Sequence, residues 1–243
     1  MGACAVKRKE DLFEGQIPLM RPWLGLEEWR ALKGVILSGW VSLGPKVEEF
    51  EKTVAAFVGA KYAVATNACT TAIHLALRIH GVKAGDEVIL PDFTCMADAN
   101  AVIMAGAVPV FADIEERTYN LYPESVEGLI TEKTKAILAI DQIGLPCDLD
   151  RLKKISKKHG LVLIDDAATS LGAKYRGRYL GSHGATTTFS FHPRKMITTG
   201  EGGMLVTDNK KIAEEAMMLR STGASVSDLK RHKAKGTILQ EYH

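Results

Sequence analysis

Lys195 lies in the stretch TTTFSFHPRKMITTGEGGMLVT, between a β-branched and aromatic run, Thr186 to Phe191, and a second strand-like run beginning at Met204. Three glycines, Gly200, Gly202 and Gly203, separate the two runs, so the lysine sits in a connection, where a scaffold can present an amine for reaction. A single lysine in such a loop is most simply a solvated charge, and other segments give it its meaning. Asp165 and Asp166 close the apolar run LVLIDD, where a carboxylate can accept a hydrogen bond from a protonated ring nitrogen and keep that ring cationic, hence an electron sink. TNACTTAIHLAL opens a helix with Cys69, Thr70 and Thr71, and the free N–H groups and hydroxyls there can cradle a phosphate or serve only as a helix cap. An amine for an aldehyde, a carboxylate for a ring nitrogen and a cup for a phosphate together fit one cofactor, pyridoxal 5'-phosphate. The paired acids also admit a magnesium site, the weaker reading because no third acid stands near them in sequence. His192, three residues before Lys195, reads as a structural or site-lining histidine.

The elements that would carry these residues alternate. KVEEFEKTVAAFV places Val47, Phe50, Val54, Phe57 and Val58 at helical spacing, with Gly59 as a stop. YAVAT, EVILP, PVFADI, TKAILAI, LVLIDDA, TTTFSF and GGMLVT read as strands; CTTAIHLALRIHG, MADANAVIMAG, DLDRLKKISKKHG and NKKIAEEAMMLRS read as helices. Short, almost wholly apolar strands alternating with helices predict an α/β fold with a mostly parallel central sheet and flanking helices. In such sheets ligands gather beyond the carboxyl ends of the strands. Thr66 to Thr71, Pro91 to Cys95, Asp165 and Asp166, and Ser190 to Lys195 are the residues found there.

The remaining composition excludes other classes. Thirty-one Lys and Arg balance 29 Asp and Glu, for a net charge of +2, and the basic clusters Lys7 to Lys9 and Lys230 to Lys235 carry no interleaved aromatics. Nucleic-acid binding therefore has little support. No run approaches the roughly 20 apolar residues of a membrane span. Cys4, Cys69, Cys95 and Cys147 have no paired spacing, which indicates neither a zinc site nor a disulfide framework, and a reducing cytoplasm is the simplest expected location.

Taken together, IPLMRPWLG, SGWVSLGPKVEEFEK, TNACTTAIHLAL, GDEVILPDFTCMADANAVIMAGAVPVFADI, LVLIDDAATSLGAKYRG and FSFHPRKMITTGEGGMLVT resemble, in order, the sugar aminotransferase family called DegT/DnrJ/EryC1/StrS. This family has the aspartate-aminotransferase-like large domain of fold type I pyridoxal phosphate enzymes. The resemblance implies that Lys195 forms the Schiff base with the cofactor, that Asp166 pairs with its ring nitrogen, and that Ser190, Thr70 and Thr71 hold its phosphate. It also marks departures: Cys69 replaces a glycine of the phosphate turn, Cys95 stands where an aromatic stacks on the ring, and Thr169 stands where Gln or His faces the phenolic oxygen. The implied reaction is transfer of an amino group, from glutamate, to a nucleotide-linked keto sugar in amino-sugar biosynthesis, by a homodimer. Retention of Lys195 argues against the dehydratases of the family, in which histidine replaces it. The resemblance divides the chain into an N-terminal extension (1–16), a cofactor-binding large domain (17–223) and a basic tail (224–243) leading to a small C-terminal domain that this sequence lacks. A truncated, catalytically inactive fragment that retains the cofactor-binding fold is the competing expectation.

Overall fold

The computed structural model describes residues 20–224 and Ala234. The expected extension 1–16 and, apart from Ala224 and Ala234, the basic tail 224–243 lie outside the described residues, as does Cys4. A seven-stranded sheet organises the rest, in the order β1 (Tyr62–Thr66), β9 (Gly203–Thr207), β8 (Thr186–Ser190), β5 (Val162–Asp166), β4 (Thr134–Ile140), β2 (Glu87–Pro91) and β3 (Val108–Ala112). β3, β2, β4, β5 and β8 pair in parallel, as expected. The exception is β9, which runs antiparallel to both β8 and β1. Because β9 alone is reversed, its first residue, Gly203, lies beside Ser190 and Thr66, the last residues of the strands on either side.

The near-continuous apolar strands are explained by two cores, one on each face. Ile89, Ile137, Phe189 and Met204 belong to one core, with Val54 and Val58 of α2 (Pro45–Val58) and Leu152 and Ile155 of α6 (Leu149–His159). Val88, Leu90, Leu138, Ile164 and Leu205 belong to the other. There they meet Ile73 and Leu77 of α3 (Cys69–Ile79), Val102 of α4 (Met96–Met104) and Ala213 of α7 (Lys210–Leu219). Successive strand residues thus face opposite cores, as the two-residue period of a strand requires.

Helical periodicity misassigned one residue of α2. Phe57 is 50% exposed, stacking on Tyr179 at the surface with ring centroids 5.1 Å apart, whereas Glu51 is buried. Glu51 accepts the Ala65 N–H at 2.8 Å and pairs with Arg220, just after α7. That pair escapes apolar periodicity because a buried charge needs a counter-charge distant in sequence. Three features were not read from the sequence: α1 (Leu26–Ser38), α5 (Pro123–Gly128) and the hairpin of β6 (Lys174–Tyr175) and β7 (Arg178–Tyr179). α1 buries none of its residues, and Leu26, Trp29, Leu32, Ile36 and Leu37 are all exposed.

Candidate active site

A cavity of about 370 Å³ opens where the parallel strands end and α3 begins, within the size range of small-molecule sites. Cys69, Thr70, Cys95, Asp166, Ser190 and Lys195 all line it. Four separate strand-to-helix or strand-to-loop connections therefore converge, as the strand-end rule anticipates.

Each connection presents its residue for a local reason. The Lys195 loop is tied at its base by fully buried Phe191, whose N–H donates to the Gly202 carbonyl at 2.9 Å. The Phe191 carbonyl accepts from the Thr199 N–H at 3.1 Å and the Thr198 hydroxyl at 2.8 Å. Within the loop, Lys195 N–H donates to the His192 carbonyl at 2.9 Å, a turn that presents the half-buried lysine to the cavity. Among the described residues, Nζ has no hydrogen-bond or ion-pair partner in the protein. His192 is occupied in the loop itself: its Nδ1 accepts the Arg194 N–H at 3.2 Å while the residue lines the cavity wall.

The two acids of β5 part company by strand alternation. Asp165 and Asp166 stand opposite Thr187 and Thr188 of β8, and each carboxylate takes the hydroxyl of its own neighbour on its own face, at 3.3 and 3.0 Å. The adjacent pair therefore does not chelate one ion. Asp166 faces the cavity, and its Oδ1 accepts Thr188 O–H, Ala168 N–H at 3.1 Å and Cys69 S–H at 3.4 Å. Burial pushes its pKa up, while these donors and the charge of Lys195 pull it down, leaving it raised. Asp165 instead belongs to a fully buried group with Asp141 and Cys147, whose ligand atoms lie within 4.8 Å of one another. Asp141 Oδ2 and Asp165 Oδ1 have no other partner, and burial raises Asp141 to about 7. Burial raises both acids, so the two carboxyls can hold one proton between them.

The candidate phosphate cup is the start of α3. The N-cap, Ala68, supplies no side-chain cap, so the N–H groups of the first turn are left open beside Thr70 and Ser190 at the cavity. Gly203 lets that turn sit close, since a Cβ there would strike the Ala68 carbonyl group and come within 2.6 Å of Cys69 N. The glycine of the loop thus serves packing. Cys69 Sγ, in place of glycine, is the thiol that reaches Asp166.

Two of the expected contacts lie elsewhere. Thr71 follows Thr70 in α3 but does not line the cavity. Thr169 is engaged outside it: its hydroxyl donates to the Asp141 carbonyl at 2.9 Å and accepts the Gly144 N–H at 3.2 Å, fastening the turn Gln142–Gly144. Conversely, the cavity contains an acid that sequence reasoning missed, Asp98, 2% exposed in the first turn of α4. An acid in a first turn reads as an ordinary helix-dipole partner, and only the tertiary structure shows that this one is buried beside Asp166.

A half-buried lysine, a buried acid and an uncapped helix start thus meet at one mouth of the α/β sheet. Comparison with known proteins gives the family. Residues 23–239 match the DegT/DnrJ/EryC1/StrS aminotransferase family, and the chain belongs to that family. It is 43% identical over 225 residues to the spore coat polysaccharide biosynthesis protein SpsC of Bacillus subtilis, covering 93% of this chain and 58% of that one. It resembles the pyridoxal phosphate form of the sugar aminotransferase Spr1654 of Streptococcus pneumoniae, at 32% identity and TM-score 0.81, over 86% of this chain and 58% of that one. It also resembles DesI, solved in the presence of its TDP-sugar product, at 36% identity and TM-score 0.81, over 85% and 53% of the two chains. The chain thus spans less than two thirds of the length of these relatives.

Proposed function

We propose that residues 17–223 form the cofactor-binding domain of a pyridoxal phosphate-dependent aminotransferase, which transfers an amino group from glutamate to a nucleotide-linked keto sugar. The observation that carries this reading is the convergence of Lys195, Asp166 and the open start of α3 on one cavity. The residues fit the cofactor: an amine without a protein partner for the aldehyde, a carboxylate for the ring nitrogen, and free N–H groups with Ser190 and Thr70 for the phosphate. When bound, the cofactor supplies a cationic ring that spreads carbanion charge. Lys195 Nζ would hold the cofactor through its aldehyde carbon, with loss of water, and as a free amine would be placed to carry a proton at the reacting carbons. Asp166 keeps the ring nitrogen protonated. The TDP-sugar product of DesI supports the nucleotide-sugar class, and the uncovered apolar residues of α1 are consistent with a second copy of the chain packing there.

Titration of the 243-residue chain with pyridoxal phosphate, followed by borohydride reduction and peptide mass spectrometry, tests the assignment. The adduct is expected on Lys195 and absent in Lys195→Ala; an adduct that persists in that variant removes Lys195 from the role. Amine transfer from glutamate to nucleotide-linked keto sugars tests the reaction itself. Cofactor capture without turnover would favour a non-catalytic cofactor-binding chain.

A further inference from the structure

Asp98 has no role in the site as described above, yet it is one of its most deeply buried groups. It is 2% exposed, lines the same cavity as Asp166 and Lys195, and is held by the Thr94 hydroxyl, which donates to its Oδ2. Its carboxyl and that of Asp166 line the same small cavity, near enough that the charge of Asp166 acts on Asp98. Two carboxyls can share a hydrogen bond only if one of them keeps a proton.

The surroundings decide which one. Asp166 Oδ1 already accepts three donors, from Thr188, Ala168 and Cys69, and so is equipped for the anion. Asp98 accepts one hydroxyl and loses its hydration to burial. The dipole at the first turn of α4 favours an anion there only weakly. The other groups around the pair are the Cys69 thiol on α3, the Lys195 amine, and His192, Arg194 and Glu201 on the loop after β8. Of these, the charge of Lys195 lowers Asp98, but by less than burial and the charge of Asp166 raise it.

We propose, building on the cofactor assignment above, that Asp98 is the positioning residue for Asp166: as a neutral acid it donates its proton to that carboxylate, fixes its orientation and limits the ring-nitrogen end of the cavity to one negative charge. Burial, then the charge of Asp166, pushes Asp98 up to about 8. The arrangement therefore holds at neutral pH and gives way in mild alkali, where a second carboxylate appears next to the ring nitrogen and Lys195.

Asp98→Asn keeps a hydrogen-bond donor but cannot ionise. Dissociation constants for pyridoxal phosphate are measured for wild type and Asp98→Asn at pH 7 and pH 9. With the ratio of the two constants at pH 7 as the reference, that ratio should change about tenfold by pH 9, the worth of one pKa unit of interaction. A merely structural side chain would leave the ratio the same at both pH values, and that result overturns the proposal.

A second measurement needs no cofactor. A buried acid whose folded pKa lies above its unfolded value makes the protein lose stability as pH rises from about 4 toward about 8. The melting temperature of the cofactor-free wild type should therefore fall more over pH 5 to 8 than that of Asp98→Asn. Parallel profiles would overturn the proposal whether or not cofactor binds. If wild type fails to bind pyridoxal phosphate, the cofactor reading falls instead, and the melting profiles alone decide the state of Asp98. Should Asp98→Asn fail to fold, Asp98→Ser serves in both measurements with the same expected outcomes.

Discussion

The reactivity of a cysteine follows its thiolate fraction and its exposure, and the three described thiols differ in exposure. Cys69 is pushed well above the usual thiol range by burial first and by the charge of Asp166 second. Cys147 is driven in the same direction by burial and by Asp141. Cys95 is exposed at the cavity wall. Iodoacetamide at pH 8 should therefore modify Cys95 well before Cys69 or Cys147, as read by peptide mass spectrometry. Saturating pyridoxal phosphate should then slow labelling of Cys95, because the ligand occupies the cavity this thiol lines. Equal labelling of Cys69 and Cys95 would contradict the burial of Cys69, and labelling of Cys95 indifferent to cofactor would place the ligand elsewhere. At this scale residue type and position after a strand pointed to Thr70, Lys195 and the pair Asp165 and Asp166, whereas the choice of Asp166 and the places of Ser190, Cys69 and Cys95 came from the family resemblance; all but Asp165 line one cavity. Asp98 was not legible, because a first-turn acid reads as a helix-dipole partner and carries no mark of burial. Thr169 was misplaced for the opposite reason, since its hydroxyl satisfies backbone groups of a neighbouring turn that no sequence spacing reveals.

The elements that hold these residues depend on one close approach. β9 is the reversed strand of the sheet, and that reversal brings Gly203 under the first turn of α3. The atoms nearest a Cβ at Gly203 are backbone atoms of Ala68 and Cys69, which cannot move aside as a flexible side chain could. Gly203→Ala must therefore displace the start of α3, and overpacking of this kind costs about 1–3 kcal/mol. The expected result is a lower urea midpoint together with weaker cofactor binding, because the displaced backbone is the one proposed to hold the phosphate. Wild-type affinity in a destabilised Gly203→Ala protein would separate the cup from the strand and sink this account. The sequence revealed a glycine-rich connection and an α/β alternation, but reading β9 as antiparallel requires knowing that it inserts between β1 and β8. Strand order is a long-range property, set by which apolar faces meet, and local periodicity is blind to it.

Across the whole molecule, buried acids set the response to pH. Asp98, Asp141, Asp165 and Asp166 all have raised pKa values, with burial the largest cause for each. Their protons are retained in the folded chain at pH values where the unfolded chain, with carboxyls near 4, has released them. The folded state then binds more protons than the unfolded one, so stability declines as pH rises from about 4 through the folded values, the reverse of a protein held by salt-bridged carboxylates. Asp141 offers a test outside the cavity, with a folded value of about 7. Asparagine mimics its protonated form: one oxygen can still accept the Cys147 N–H, now at 2.7 Å, and an amide hydrogen can replace the proton shared with Asp165. Urea midpoints of wild type and Asp141→Asn should lie close together near pH 5 and separate by pH 8, with the variant higher because it no longer gives up a proton on unfolding. Curves that stay parallel across this range would mean that Asp141 is already ionised in the fold. The unpartnered oxygens of Asp141 and Asp165 would then need a cation, and uptake of metal measured on the purified chain would show it.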